Sequence, residues 1–437
     1  VHCPRGRVTG GSTAVNTTIA LRGIPADYDH WADLGNPAWA WSEVLPAFNR
    51  LERDLDHGTE PHHGDAGPIT IRRWQPDELT VTQAAFLDAA RAAGHPWCQD
   101  VNAPDATGVG VMAMNKLGRV RISTAVGYLA PARIRDNLTI LSDTTARRVV
   151  VDGGRAVGVD VLDADGTERR IRARLVVAAA GAVHTPGLLV RSGIGDPAEL
   201  AAVGVDPVAA VPGVGANLSD HPALLVAMTP RHTELCDPAL PLVQTISRFT
   251  TDGSDRDLDV NIELISTVPR RSGQSAFGLA ASLEWVEGRG RVRQRSADPN
   301  EAPIIDSGFG VDDRDVTRNV AALQVAVDLT TRPALAQLID RVVFPDPERS
   351  GVDQLSALAR RVSGSGYHPV GTARMGPAED PGAVVDQYGR CHTVDGLVVA
   401  DASIMPTVPR ANTNLTSIMI GEMIGEWIRT EPARYGL

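Results

Sequence analysis

Two short segments near the carboxyl end of the sequence carry side chains that could act on a small molecule. The string GYHPVGTARMG places His368 before Pro369, whose ring fixes φ, and the glycines that follow permit close backbone approach to a ligand. The string MPTVPRANTNLTSIMIG presents Asn412 and Asn414 from a proline-stiffened turn that enters a helix. A neutral imidazole can accept a proton near neutral pH. Taken alone, a single histidine is more often a surface or hydrogen-bonded residue than a catalytic one, capping is the simpler interpretation of Asn412, and Asn414 is balanced between capping and a cofactor contact.

The surrounding patterns predict the elements that must position these segments. Apolar residues at helical spacing run from Trp41 to Leu51, with Ser42 as the N-cap, and a second helix is predicted from about Thr80 to Ala93. Between 138 and 177, short β-branched runs are separated by Asp-Gly turns. This pattern predicts antiparallel hairpins.

The second half of the chain alternates between strand and helix patterns. The apolar run that ends at Gly181 predicts a buried parallel strand, followed by a helix from Thr185 to Arg191. Residues 216–365 contain the strand-like stretches DLDVNIELIS and AASLEWVEGRGRVRQRS and a helix near 314–331. They are predicted to form a second domain, and a last helix is predicted over about 415–429.

Composition excludes several classes of protein. Asp and Glu number 53 against 42 Lys and Arg, a net charge of −11 without basic runs, which argues against a nucleic-acid partner. No apolar stretch approaches the roughly 20 residues that span a bilayer, so no membrane span is predicted. The four cysteines lie far apart, which predicts neither disulfides nor a zinc site and favours a cytoplasmic protein. A length of 437 residues suggests two or three domains.

Two other kinds of site are disfavoured. His62 and His63 are adjacent, but no further ligand stands nearby at a spacing typical of a metal site, so no metal is predicted. The Gly-x-Ser-x-Gly string of many serine hydrolases is missing from the sequence.

Six ordered strings, spread over nearly the whole chain, resemble the glucose-methanol-choline (GMC) oxidoreductases, which bind FAD and oxidise alcohols. The strings are RGRVTGGSTAVN at 5–16, HHGDAGP at 62–68, GAVHTPGLLVRSGIG at 181–195, VGANLSDH at 214–221, GYHPVGTARMG at 366–376 and DGLVVADASIMPTVPRANTN at 395–414. The overall sequence resembles the choline-dehydrogenase-like branch of that family.

The resemblance implies a two-domain α/β flavoprotein. A discontinuous, Rossmann-like FAD-binding domain would comprise 1–35, 125–220 and 376–437. A substrate domain of α+β type, built on an antiparallel sheet, would comprise 36–124 and 221–375.

The resemblance also implies roles for individual residues. Hydride leaves an alcohol carbon readily only as the hydroxyl proton is lost, so a base must act together with a hydride acceptor, the flavin N5. His368 occupies the family position of that base, and Asn412 the position of a partner that would donate to the developing alkoxide. Val15 stands where some members attach FAD through a histidine, which implies non-covalent FAD. The implied cofactor-binding residues are Gly10, Gly11, Ser12, Asn16, Ala146, Asp401, Ala402 and Asn414.

Structural interpretations compete with these cofactor roles. The glycines could serve turns, and Asp401 could cap a strand end. Family members also begin with a strand, a Gly-x-Gly-x-x-Gly turn and a helix that receives the pyrophosphate, and no such string occurs in this sequence. We therefore expect an N-terminally incomplete FAD-binding domain.

Two functions stay open at this point. One is FAD-dependent oxidation of a small-molecule alcohol, with dioxygen, a quinone or a redox carrier as electron acceptor. The other is a truncated, non-catalytic remnant that binds a ligand or partner without flavin. The scarcity of aromatic residues in the 216–365 stretch weakly disfavours choline as substrate, because a quaternary ammonium is best bound by an aromatic cage.

Overall fold

The computed structural model describes residues 3–269, 273, 275–346 and 351–437. The helices are α1 (Pro25–Asp33), α2 (Trp41–Leu51), α3 (Val81–Ala92), α4 (Ala130–Ala132), α5 (Gly181–Arg191), α6 (Pro197–Ala202), α7 (Asp313–Thr331), α8 (Pro333–Ala336), α9 (Val352–Val362) and α10 (Thr413–Thr430). The strands are β1 (Glu52–Asp54), β2 (Ile69–Arg73), β3 (Gly108–Val111), β4 (Ala113–Met114), β5 (Lys116–Leu117), β6 (Val120–Arg121), β7 (Thr145–Asp152), β8 (Arg155–Leu162), β9 (Glu168–Arg172), β10 (Val176–Ala178), β11 (Ile194–Gly195), β12 (Ala209–Ala210), β13 (Pro222–Pro230), β14 (Thr245–Phe249), β15 (Val260–Ile265), β16 (Phe277–Leu283), β17 (Arg291–Arg293), β18 (Ile304–Asp306), β19 (Ile339–Phe344), β20 (Gly364–Ser365) and β21 (Leu397–Val399).

An antiparallel sheet organises the substrate half of the molecule. Its strand order is β19-β13-β16-β15-β14-β3, with β20 also paired to β13. Alternate side chains along β13 and β16, such as Leu224, Val226 and Phe277, are fully buried, and both strands contact α7. This alternation is that of a sheet with one face on an apolar core. The prediction of an antiparallel-sheet domain is confirmed.

The same sheet carries buried polar side chains along its middle strands. Arg248 on β14 lies opposite Asn261 on β15, and Asn261 Nδ2 donates to Glu284, just after β16, at 2.8 Å. Strand β3, from the 36–124 stretch, pairs with β14. That pairing is consistent with the predicted grouping of 36–124 with 221–375, although the domain boundaries themselves stay a prediction.

The predicted hairpins form a three-stranded antiparallel sheet, β7-β8-β9. Gly153 and Gly154 take positive φ at the first turn, where a side chain would be strained. The apolar strand β10 pairs in parallel with β21, as its composition predicts. Val177 at its centre is nevertheless 43% exposed. Its burial on both faces, expected from the sequence, is not observed, because β21 is the only strand paired with β10 among the described residues.

Helices α1, α2 and α10 meet in an aromatic cluster. The rings of Tyr28, Trp31 and Phe48 pack edge to face at centroid distances of 5.2 and 5.5 Å. Full burial of a side chain such as Phe48 contributes roughly 1.5–3 kcal/mol. The Tyr28 hydroxyl also bonds to Thr416 on α10 at 3.0 Å. The cluster therefore fixes α10, the helix that Asn412 precedes.

The helix boundaries differ from the predictions at two places. Ser42 was expected to cap α2, but the helix already includes Trp41, its N-cap is Ala40, and the Ser42 hydroxyl bonds to Glu43 instead. Helix α5 begins at Gly181, four residues before the predicted start at Thr185. Among the described residues, no helix combines the length and the apolar character that a membrane crossing requires.

The strand pattern predicted over AASLEWVEGRGRVRQRS is also not continuous. It divides into β16 and β17, with residues 284–290 turning between them. Gly290 lies where an added Cβ would stand 2.0 Å from the backbone oxygen of Asp306. The close backbone approach at this glycine accompanies the turn between the two strands.

Candidate active site

His368 and Asn412 lie in contact, although 44 residues separate them in the sequence. Nδ2 of Asn412 is 2.9 Å from Nε2 of His368. His368 follows β20 in a loop, and Asn412 stands at the start of α10. Both side chains are half-buried. The structure therefore brings together the two residues that the sequence singled out for catalysis.

The simpler interpretation of Asn412, helix capping, does not describe its side chain. Asn412 is the N-cap residue of α10 by position, but its side chain accepts no hydrogen bond from the first turn. Its amide points at His368, and its Oδ1 is buried without a hydrogen-bond partner. The Asn412 side chain therefore contacts the imidazole of His368 and does not cap the helix.

A single carboxylate holds the loop that carries His368. Oδ1 of Asp220 accepts hydrogen bonds from the backbone N–H groups of His368 and His221, each at 2.8 Å. Its Oδ2 accepts from the Ser365 hydroxyl. Burial raises the pKa of Asp220 to about 6, against the hydrogen bonds that favour the carboxylate. Asp220 thus ties the start of β13 to the His368 loop.

The residue before His368 adopts an unusual backbone conformation. Tyr367 has φ of +65°, the left-handed region that favours glycine. Its N–H donates to the Ser365 hydroxyl at 2.8 Å, and its carbonyl accepts from Nη2 of Arg5 at 3.2 Å. Such strain persists only where surrounding contacts over-determine it, and it concentrates at functional sites.

The surroundings of His368 favour its neutral form. Burial of the ring lowers its pKa well below the ordinary range, and the nearby His221 and Arg5 act in the same direction. His221 lies fully buried behind it, with the two Nδ1 atoms 3.0 Å apart. Both Asp220 and His221 belong to the VGANLSDH string, but sequence reasoning gave them no role because their contacts with His368 span about 150 residues.

The glycine loop predicted to contact the cofactor lies near this loop. Gly10 has φ of +93° and precedes a 3-10 turn, Gly11–Ala14. The Ser12 hydroxyl accepts from the Gly6 N–H at 3.2 Å, and the adjacent Arg5 reaches Tyr367. Asn16 Oδ1 accepts from the Thr18 N–H and from Arg121 at 3.0 and 2.6 Å. The side-chain oxygen of Asn16 therefore already accepts two hydrogen bonds within the protein.

The remaining predicted cofactor residues occupy different settings. The Asp401 carboxylate accepts from the Gly181 N–H, the Thr185 hydroxyl and the Ser403 N–H, so its side chain acts as a cap. Ala402 accepts from the Gly371 N–H at 3.1 Å, beside the His368 loop. Ala146 lies on β7, in another sheet. The side chain of Asn414, in the first turn of α10, has a buried Nδ2 without a hydrogen-bond partner.

Two observations indicate that the residues of this region fit a bound flavin. Asn412 Oδ1 and Asn414 Nδ2 are an acceptor and a donor that the described protein leaves unpaired, at the same end of α10. A Cβ added at Gly11 or Gly181 would meet nothing within 4 Å. A polar ligand would satisfy such unpaired buried atoms, and the open space at the two glycines would permit close approach to the backbone.

Comparison with known proteins agrees with this geometry. Two family models described as GMC oxidoreductase match residues 1–223 and 286–421. The chain belongs to the GMC oxidoreductase family. Membership confirms the prediction of an FAD-dependent oxidoreductase and of the two-part GMC fold. Non-covalent attachment of FAD and the individual cofactor residues stay predictions.

The chain spans most of the length of individual GMC relatives. The chain is 36% identical to 5-(hydroxymethyl)furfural oxidase of Methylovorus sp. (strain MP688), over 98% of this chain and 83% of the relative. It is 34% identical to choline oxidase of Arthrobacter globiformis, over 98% and 81%. The crystal structure of pyridoxine 4-oxidase from Mesorbium loti superposes with a TM-score of 0.91 at 29% identity, over 98% of this chain and 85% of that chain.

The adjacent histidines of this GMC chain belong to a buried ion-pair network. His63 Nδ1 is 2.7 Å from Glu52 and its Nε2 is 2.9 Å from Asp100. The sequence shows no further ligand at a metal-site spacing, but folding brings carboxylates from other segments close to these histidines. Arg22 pairs with Glu52, and Arg73 pairs with Asp100. Cationic partners on these carboxylates favour an ion-pair network over a metal site.

The network predicts a dependence of stability on pH. Burial lowers the pKa of His63, but hydrogen bonds to Asp100 and Glu52 outweigh it, so the pKa is raised above 6.5. A group whose pKa rises on folding stabilises the native state at low pH and loses that contribution as pH rises through its folded pKa. We expect the free energy of unfolding to fall as pH rises from about 6.5 upward.

Urea unfolding of the native protein and of His63→Gln, at pH values below and above about 6.5, measures how the free energy of unfolding depends on pH. The variant should lack the alkaline decrease, whereas the exposed-site control His232→Gln should keep it. An equal decrease in His63→Gln would assign the dependence to other groups.

Proposed function

We propose that this chain oxidises a small-molecule alcohol to a carbonyl compound with FAD, using His368 as the base and Asn412 as the hydrogen-bond donor to the substrate oxygen. The convergence of His368 Nε2 and Asn412 Nδ2 at 2.9 Å carries the proposal. The family and the relatives named for alcohol substrates support it.

The pair provides both contacts that an alcohol needs on losing its proton. A substrate hydroxyl that replaces the direct contact between the two side chains would donate its hydrogen to Nε2 of His368 and accept from Nδ2 of Asn412. As the proton moves to the imidazole, negative charge grows on the oxygen, and the Asn412 N–H stabilises it. Bound FAD supplies the hydride acceptor that completes the oxidation.

The substrate is proposed to be an uncharged alcohol rather than choline. Few aromatic residues in this domain could form a cage for a quaternary ammonium. One of them, Trp285, already has two cations over its ring: the guanidinium carbons of Arg256 and Arg410 each lie 4.6 Å from the ring centroid. Phe277 is fully buried in the core. A ring that already lies under two cations is a poor site for a quaternary ammonium.

Anaerobic mixing of the FAD-loaded protein with alcohols tests the proposal. The visible flavin absorbance should bleach with 5-(hydroxymethyl)furfural at a lower concentration than with choline. A protein that takes up FAD but is reduced by no alcohol would overturn the alcohol-oxidising function. Preferential reduction by choline would overturn the uncharged-substrate assignment alone.

Asn412→Ala should separate catalysis from stability. Loss of one preorganised donor to a developing oxyanion costs about 10²- to 10³-fold in rate. Because the side chain caps no helix amide, the free energy of unfolding should change by less than about 1 kcal/mol, the typical loss when a capping asparagine is removed.

Rapid-mixing flavin reduction and urea unfolding of Asn412→Ala give the two values. Asn300→Ala, at an exposed asparagine, is the matched control. A large loss of stability with an unchanged reduction rate would return Asn412 to a structural role.

A further inference from the structure

The fully buried His221 lies behind the half-buried His368, and the two imidazoles are within hydrogen-bond distance. The Nδ1 atoms of His221 and His368 are 3.0 Å apart, with the ring planes inclined at 77°. A hydrogen bond between two imidazole nitrogens requires that one carries the proton and the other accepts it. The pair therefore has two alternative arrangements, and they give opposite protonation at Nε2 of His368.

Asn412 favours one of these arrangements. Its amide N–H points at Nε2 of His368, so the imidazole nitrogen is the acceptor. In a neutral ring with an unprotonated Nε2, the hydrogen resides on Nδ1. His368 then donates from Nδ1 to Nδ1 of His221.

The surroundings of His221 favour the same arrangement. The backbone carbonyls of Glu284 and Pro409 face its imidazole and favour a protonated nitrogen. Nε2 of His221 is buried without a hydrogen-bond partner, and it is the nitrogen left to carry that proton, since Nδ1 faces His368. With Nε2 protonated in a neutral ring, Nδ1 of His221 is an acceptor.

Both rings are held in the neutral form. Burial lowers the pKa of His221 to about 3 and lowers the pKa of His368 well below its ordinary range. Three ionisable groups face the pair: Glu284, with Oε1 3.6 Å from Nδ1 of His221, and Asp220 and Arg5. Burial raises the pKa of Glu284 well above its usual value, so this carboxyl does not draw His221 into the charged form.

We infer that His221 is a positioning residue that accepts the Nδ1 hydrogen of His368 and so keeps Nε2 of His368 unprotonated toward the substrate. The inference rests on the proposed function, in which Nε2 takes the alcohol proton. In the opposite arrangement Nε2 would carry a hydrogen and would be unable to accept another. His221 acts through its contact with His368.

Two substitutions at His221 separate its acceptor role from its bulk. His221→Asn can place an amide oxygen near the former Nδ1 and keep an acceptor for His368. His221→Phe fills the same space without any acceptor. His232→Asn, at an exposed histidine, is the matched control.

Long-range ¹H–¹⁵N spectra of ¹⁵N-histidine-labelled protein without FAD report the tautomer directly. The His368 signals are assigned by their loss in His368→Asn. We expect a protonated Nδ1 and an unprotonated Nε2 in the native protein, in His221→Asn and in His232→Asn, and a protonated Nε2 population in His221→Phe. A protonated Nε2 in the native protein, or an unchanged tautomer in His221→Phe, overturns the inference.

The reduction rate of the FAD-loaded variants gives a second measure. His221→Phe should slow flavin reduction by about tenfold, the effect of one lost hydrogen bond, with a much smaller change in KM. His221→Asn should lose less, and an equal loss in both variants contradicts the acceptor role. If His221→Phe does not fold, the His368 tautomer in the native protein and in His221→Asn still tests the inference. The two claims can fail separately. If the spectra show the expected tautomers but no alcohol reduces the FAD-loaded protein, the inference about His221 is supported and the proposed function is overturned.

Discussion

Replacing His368 with glutamine should slow the reduction of bound FAD by an alcohol by about 10²- to 10⁴-fold, the usual contribution of a positioned general base. The glutamine amide can fill part of the imidazole volume but cannot accept a proton at neutral pH. The backbone N–H of residue 368 would keep its bond to Asp220, so the loop should retain its conformation. Anaerobic rapid mixing followed at the flavin absorbance measures the rate constant.

The matched control for this substitution is His232→Gln, because His232 is exposed and lies in the loop after β13. Its reduction rate should equal that of the native protein. A His368→Gln protein that is reduced at the native rate would remove His368 as the base and leave the alcohol proton to another acceptor.

Arg73→Met should produce the largest loss of stability among the substitutions proposed. The Arg73 guanidinium lies 5% exposed between Asp54 and Asp100, and it pairs with both. Removal of one partner from a buried ion pair leaves uncompensated charge and costs about 3–5 kcal/mol. Methionine is chosen because it keeps the apolar length of the side chain without the charge. Urea unfolding at neutral pH measures the change.

Arg148→Met provides the contrast. Arg148 pairs with Asp160 at 2.9 Å, but its side chain is 54% exposed. Exposed pairs contribute about 0–1 kcal/mol because water screens the charges. Similar losses in the two variants would show that the network around His63 does not depend on Arg73 for its charge balance.

The proposed catalytic pair, His368 and Asn412, could be singled out from the sequence because each residue stands in a motif whose proline and glycine residues shape the local backbone. Proline and glycine residues fix the backbone around His368, and the turn before α10 presents Asn412. Local spacing also predicted α3, α7 and the β7-β8-β9 hairpins, since hydrophobic periodicity and turn residues act within a few positions. The family resemblance singled out His368 and Asn412 together, and the structure places Nδ2 of Asn412 2.9 Å from Nε2 of His368.

The parts that sequence reasoning missed depend on contacts between distant segments. Asp401 accepts from Gly181 and Thr185, 220 and 216 residues away, and α5 consequently begins four residues earlier than its local pattern indicates. The His63 network joins carboxylates and arginines from the segment before α1, from β1 and β2, and from the residues around 100. The interaction of His221 with His368 has the same origin. Neither spacing nor composition encodes such pairings.

Helix α10 meets the proposed catalytic pair with its amino terminus, and the side chain of its N-cap residue, Asn412, caps no amide of the first turn. The unpaired N–H groups at a helix start carry a partial positive charge of roughly half an elementary charge. That electric field favours an alkoxide over an alcohol beside Asn412 and disfavours an imidazolium at His368. The same backbone dipole thus acts with burial to keep the base uncharged, and it lowers the energy of the anion that forms when the base accepts its proton. The aromatic packing of α10 against α1 and α2 fixes the direction of this field.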